Sequence, residues 1–258
     1  MKISDPETVS LLHTLLTYRH SAEFNKLGMS ALSAIVTSTL DSSAFYSDIA
    51  PLFLSKLDEE ESLLETLFKK YINSKSDEKH LALEVAVSLV DIIHEILSDF
   101  QTEALKLQLK EIQRLVFADF KLFETFIILA TSQDASASDL KLAGRAFACM
   151  PITMLLILDV PLNGGNGSLS IENYMRALAI VLQRSDAQVF ALYAFYNLLK
   201  DLSGKPQYAL GPVTDCLTRS QILGEVLQLP LKSKNSDVVR ISLNIIVLIV
   251  NNQALHLF

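Results

Sequence analysis

Glycine and proline are scarce in this chain, at eight and seven of 258 residues. An all-β protein of this length needs many more tight turns than they can supply, so that class is excluded. Cysteine is scarcer still. Cys149 and Cys216 lie far apart in sequence, form no readable disulfide framework, and fit a reducing compartment as small buried hydrophobes. Positive charge is outweighed, 22 Lys and Arg against 29 Asp and Glu, for a net charge of −7. That balance argues against nucleic acid as the general partner and leaves room only for a local basic patch. No apolar run approaches the ~20 residues that span a bilayer. The first residues, MKISDPETVS, lack the apolar core of a signal peptide. The expectation is an intracellular protein of the cytoplasm or nucleus, not attached to a membrane. Its one sequon, Asn166-Gly167-Ser168, is then not glycosylated.

What the chain does have is apolar residues, half of the total, against one fifth charged. They recur at intervals of three and four nearly throughout, which predicts an all-α protein with a large core. Ser4 or Asp5 is the expected cap of a first helix, with Pro6 in its first turn, running to about Arg19. Further helices are expected at about 23–40, 47–57, 58–72, 76–100, 102–118 with 121–131 continuing it after a bend, 138–150, 170–184 and 186–202, with shorter ones up to Leu229. In the helix after Ser76, Leu83, Val87, Val90 and Ile93 or Leu97 are expected inward. The last long helix spans Ser236 to Val250, with Ser236 as N-cap and Asp237 at the positive helix end. Val239, Leu243, Ile246 and Val250 share one face, Ile241, Ile245 and Leu248 widen it, and only Arg240, Asn244 and Asn251 form a polar stripe. Such a helix is expected to be hidden on all sides but one.

Ser-Asp recurs at four expected helix starts, with its aspartates at 77, 139, 186 and 237, separated by 62, 47 and 51 residues. Armadillo and HEAT units run to about 40–47 residues. The expectation is one helical-repeat domain over 1–258, an α-solenoid of armadillo/HEAT-like repeats, with an irregular loop at 160–169.

Little in the chain points to catalysis. No two histidines have the i, i+4 spacing of a helical zinc site, and no nucleophile elbow G-x-S-x-G is present. The glycine-rich segment Asn163–Ser168 lacks the Gly-Lys-Ser/Thr ending of a phosphate loop. The acidic run Asp58–Glu61 reads as a solvated first turn. No cofactor, metal or catalytic residue is expected, and an enzyme is the weaker reading. One face carries more information. Phe190, Tyr193 and Asn197 follow i, i+3, i+7, beside Val189, Leu192, Tyr196 and Leu199. Both faces can be core packing. Alternatively the first lines a groove, and with Arg240 and Asn244 of the last helix it binds a partner segment, because aromatics bury much area and asparagines bond an extended backbone.

Three stretches carry a family resemblance. They are Ser43-Ala44-Phe45 with Pro51-Leu52-Phe53-Leu54; Leu198-Leu199-Lys200-Asp201 with Gly204 and Tyr208; and Ile222-Leu223-Gly224 with Val226-Leu227-Gln228-Leu229, followed by Val238-Val239-Arg240 and Leu243. Together, over about a third of the chain, they resemble the cell-differentiation (Rcd-type) armadillo family, the armadillo subunit of the Ccr–Not mRNA deadenylase complex. The chain departs from that pattern in a longer region from about Leu57 to Ser185 and a shorter part before Ser43. The resemblance implies a non-catalytic adaptor in mRNA turnover whose partners are a large scaffold subunit or short peptide motifs. The alternative is an armadillo-like scaffold of a chromosome-maintenance or cytoskeletal assembly.

Overall fold

Why the chain becomes helices is visible at their ends. The computed structural model describes residues 6–17, 21–38, 53, 62–72, 78–99, 122–149, 171–203 and 217–251. Among these, all regular structure is helical and there is no strand. They belong to two compact units, Met1–Phe120 and Lys121–Phe258.

In the first unit, α1 (Pro6–Thr17) opens on the expected proline, and α2 (Ala22–Ser38) follows with Ser21 before its first turn. The third helix, α3, begins at Leu63 and not at the acidic run. Ser62 is its cap: its Oγ accepts from the Glu65 N–H at 3.2 Å, and the Glu65 carboxylate accepts from the Ser62 N–H at 2.9 Å. This reciprocal capping box satisfies two donors that the helix start would otherwise leave bare. After Leu63–Thr66 the helix widens into a π turn, Leu67–Ile72. The buried apolar residues fall in pairs, Leu63-Leu64, Leu67-Phe68 and Tyr71-Ile72, four residues apart. An α-helix rotates such pairs about 40° further at each step. The π turn rotates less per residue and returns them to one side.

The two donors at the end of that turn tie it to α1. The Tyr71 hydroxyl and the Lys70 ammonium both donate to the Leu16 carbonyl, one of the acceptors that a helix C-terminus leaves open. A cation is favoured at that helix end, and the Lys70 Nζ also lies 5.1 Å from the Tyr71 ring centre. Burial, and then the nearby Glu78 charge, push the Tyr71 phenol above its ordinary range.

The fourth helix, α4 (Lys79–Asp99), packs on α2 and on the π turn. Leu83, Val87 and Val90 are inside as expected, but so is every other residue from Ala82 to Val90 except Glu84. Over Ala82–Val90 it is this helix that is enclosed on nearly all sides.

The second unit contains α5 (Leu122–Thr131), α6 (Ala137–Cys149), α7 (Ile171–Leu182), α8 (Gln188–Ser203), α9 (Ile222–Lys232) and α10 (Ser236–Asn251). They pack as successive pairs, α5 with α6, α7 with α8, and α9 with α10. The second members lie side by side in the order α6, α8, α10, while α5 packs on α7. Gly144 of α6 faces Ala187 and Phe190, and Ala148 faces Asn197, so α6 and α8 run parallel. Phe123, Phe147 and Tyr174 close the interior of the first two pairs, with ring centres 5.2 to 5.8 Å apart and two of the three contacts edge-on. Each such ring pair adds about 0.5–1.5 kcal/mol beyond area burial. Full enclosure raises the Tyr174 phenol well above its ordinary value.

The Ser-Asp pairs do not mark these helix starts in a common register. Ser136, two residues before Ser138, caps α6, exchanging bonds with Asp139 (Asp139 N–H to Ser136 Oγ 3.1 Å, Ser136 N–H to Asp139 Oδ2 3.0 Å). Asn235 caps α10, its Oδ1 accepting from the Asp237 N–H at 2.9 Å, and Ser236 is already helical. At α8 the helix begins after Asp186, which lies 4.0 Å from Arg184. Ser76-Asp77 lies outside the described residues. Nor does Pro230 end a helix, since α9 continues through it to Lys232. A proline that close to the C-terminus forfeits a single backbone bond, and the last turn still closes with Ser233 N–H on the Leu229 carbonyl at 2.8 Å.

The last helix differs most from expectation. It buries Val238, Ile241, Ser242, Ile245 and Ile249 against α8 and α9. Leu243, Val247 and Val250 are exposed by 48 %, 56 % and 69 %. Apolar residues surround this helix, so their spacing could not select the inward side. Contact with α8 and α9 selects it, and the far side stays open. Cys149 is buried, as expected, while Cys216, the loop at 160–169 and the segment Ser43–Leu52 lie outside the described residues.

Candidate functional site

The five residues singled out from spacing, Phe190, Tyr193, Asn197, Arg240 and Asn244, all sit on α8 and α10, which pack side by side. Two of them meet. A guanidinium nitrogen of Arg240 donates to the Tyr193 hydroxyl at 3.3 Å and also lies 3.0 Å from the Asp237 carboxylate. Tyr193 is 38 % exposed, so the bridge lies at the surface. The bonds from Asp237 and then Tyr193 hold the guanidinium further above its already high ordinary value, so its charge is permanent. Asn244 is exposed one turn beyond Arg240 on the same face of α10.

Phe190 and Asn197 turn the other way, towards α6. Phe190 is half-buried, its Cβ 3.3 Å from where a side-chain carbon on Gly144 would lie. The absence of that carbon is what lets α8 approach α6. The Asn197 side-chain amide donates to the Ala148 carbonyl at 3.1 Å. Ala148 is in the last turn of α6, whose carbonyls lack intrahelical partners, so Asn197 caps a neighbouring helix across 49 residues of sequence. That bond uses one of its two amide N–H groups, and the second N–H and Oδ1 remain for a further partner. On the adjoining face Leu192 and Leu199 are buried, with Val189 and Tyr196 half-buried, so that face is core.

Spacing did not identify Asp237 as part of this surface. It was read as a dipole-favoured residue of the first turn, yet it also anchors Arg240 through the i, i+3 relation that neighbours on a helix share. That signal was available in the sequence. The close approach of α6 and α8 at Gly144 was not, since it depends on which helices are neighbours.

Among the described residues no group of three or more His, Cys, Asp or Glu is placed to hold a metal ion. His80 lies 3.5 Å from Glu84, and His13 lies 3.5 Å from the Thr66 hydroxyl. No helix among the described residues is long and apolar enough to cross a membrane. No protein-family model matches the chain, and no curated protein or solved structure does either.

Proposed function

We propose that this chain is a non-catalytic interaction module that binds a segment of a partner protein across α8 and α10. The observation that carries the reading is the Tyr193–Arg240 bridge, an aromatic and a permanent cation held together at the surface by two adjacent helices. Tyrosine and arginine are the side chains most often central to binding energy, and fixing both in advance lowers the entropy lost on association. Asn244, and the Asn197 Oδ1 at the edge, can accept from or donate to an extended backbone. The pairing of α5 with α6, α7 with α8 and α9 with α10 supports an armadillo/HEAT-like solenoid as the underlying architecture. The resemblance to the Rcd-type armadillo family supports mRNA turnover as the context, with a large deadenylase scaffold subunit as the partner.

The test is affinity capture from cell extract with the tagged chain, read by mass spectrometry, alongside Tyr193→Ala and Arg240→Glu. Each substitution should reduce recovery of the principal partner about tenfold, with a nearly unchanged melting temperature. Equal capture by both variants, or ready unfolding of both, excludes this surface. Recovery of deadenylase subunits selects the mRNA-turnover context. Their absence, with other proteins recovered, leaves the chromosome-maintenance or cytoskeletal scaffold.

A further inference from the structure

A second place in the same unit has the chemistry of a binding site. Glu172, Met175, Arg176 and Ala179 lie on one face of α7 at i, i+3, i+4 and i+7, and face Arg219, Ser220 and Gln221 just before α9. Between them is a solvent-open groove of about 290 Å3 with mostly apolar walls. The Gln183 amide reaches the Glu225 carboxylate at 3.3 Å and links α7 to α9.

Among the described residues the groove lining carries more positive than negative charge. Arg176 and Arg219 both line it, and neither has an ion-pair or hydrogen-bond partner among the described residues. Glu172 offsets at most one of the two guanidinium charges. In a chain with a net charge of −7 this is a local excess of positive charge over an apolar floor. Two guanidinium groups at one cleft repel each other, and an anion between them turns that repulsion into two charge-assisted hydrogen bonds.

We propose that this groove binds an acidic segment of a partner protein, with one Asp or Glu carboxylate between Arg176 and Arg219 and a neighbouring apolar side chain on Met175 and Ala179. Three features select this ligand. Glu172 leaves a net of one positive charge on the lining, which a single carboxylate neutralises. The volume lies just below the range of about 300–1,000 Å3 that encloses a drug-sized ligand and suits a pair of side chains. The Ser220 and Gln221 backbone and amide groups can bond a peptide main chain. The groove is distinct from the surface at Tyr193 and Arg240, and its occupancy does not depend on that surface.

The test uses the full chain and three fluorescein-labelled dodecapeptides in a Gly/Ser background, each with two Leu and two further residues. Those two are Glu in the first, Gln in the second and phosphoserine in the third. Fluorescence anisotropy follows binding at fixed ionic strength. The Glu peptide should bind the parent chain. Its affinity should fall at least about tenfold for the Gln peptide and for the double variant Arg176→Glu, Arg219→Glu. The double variant Tyr193→Ala, Arg240→Glu should bind it like the parent, which separates this groove from the other surface. Failure of the Glu peptide to bind the parent overturns the proposal, as does equal binding by the Arg176/Arg219 variant or loss of binding in the Tyr193/Arg240 variant. A phosphoserine peptide bound more than tenfold tighter than the Glu peptide makes this a phosphate site and also overturns it. So does a melting temperature lowered in the Arg176/Arg219 variant, because the two arginines would then be held by the chain itself.

Discussion

Asn197 on α8 donates its side-chain amide to the backbone carbonyl of Ala148 in the last turn of α6, 3.1 Å away. A surface asparagine reserved for a ligand would be indifferent to folding, whereas this one is not. Asn197→Ala should lower stability by about 1–2 kcal/mol, the cost of leaving a part-buried acceptor unpaired. Asn197→Asp should cost more, because a carboxylate has no donor for the carbonyl and is disfavoured at the negative helix end. Urea unfolding of both variants measures this, and a midpoint unchanged in either shows that α6 does not depend on the bond.

Two glycines make opposite predictions. A Cβ on Gly144 would lie 3.0 Å from Val181 Cγ1 and 3.3 Å from Phe190 Cβ, whereas Gly224 has nothing within 4 Å. Each Gly→Ala gains about 1 kcal/mol of helix propensity. At Gly224 that gain is unopposed, so Gly224→Ala should stabilise by about 0.5–1 kcal/mol. At Gly144 overpacking costs about 1–3 kcal/mol, so Gly144→Ala should destabilise on balance, and Gly144→Val more. Thermal melts of the two alanine variants moving in the same direction would refute the close approach of α6 and α8.

The cap of α10 is Asn235, not Ser236. Asn235→Ala should therefore cost about 1 kcal/mol, while Ser236→Ala, at a position already helical, should cost a few tenths at most. Denaturant midpoints of the two single variants decide between the caps.

The Ser242 hydroxyl is buried in the contact of α10 with its neighbours and has no hydrogen-bond partner among the described residues. Its desolvation is uncompensated. Ser242→Ala removes it, improves helix propensity, and should raise stability by about 1 kcal/mol. A destabilised variant would mean that the hydroxyl is bonded in solution.

Alkali should expose the enclosed phenol of Tyr174. Its ordinary value is 10.0, and burial raises it in the folded chain. The sign follows from proton binding: above pH ~10 the unfolded chain releases the phenolic proton while the folded chain retains it. Its effect on stability is therefore flat below pH ~10, and stability falls above it by up to about 1.4 kcal/mol per pH unit until the folded phenol also ionises. Tyr174→Phe should flatten that part of the pH–stability curve, measured by urea unfolding between pH 9 and 11. An unchanged slope would mean that Tyr174 titrates alike in both states.

Local chemistry determined a good deal from the sequence alone. Three-and-four spacing gives helices whatever surrounds them, Pro6 opens one, and a serine three residues before a glutamate, Ser62 and Glu65, closes a capping box without help from any other segment. Spacing also brought Tyr193 and Arg240 into one hypothesis, because each lies on an exposed stripe of its own helix. Orientation was beyond its reach. Apolar residues ring α10, so three-and-four spacing is compatible with several inward faces, and only the packing of α8 and α9 chose Val238, Ile241 and Ile245 over Leu243 and Val250. The same holds for Asn197, whose partner is 49 residues away, and for Arg176 and Arg219, which share a groove only because α7 and the start of α9 are neighbours. Helix formation is set by contacts within about four residues, whereas the choice of face, cap partner and cleft is set by contacts between segments that are distant along the chain and adjacent only after folding.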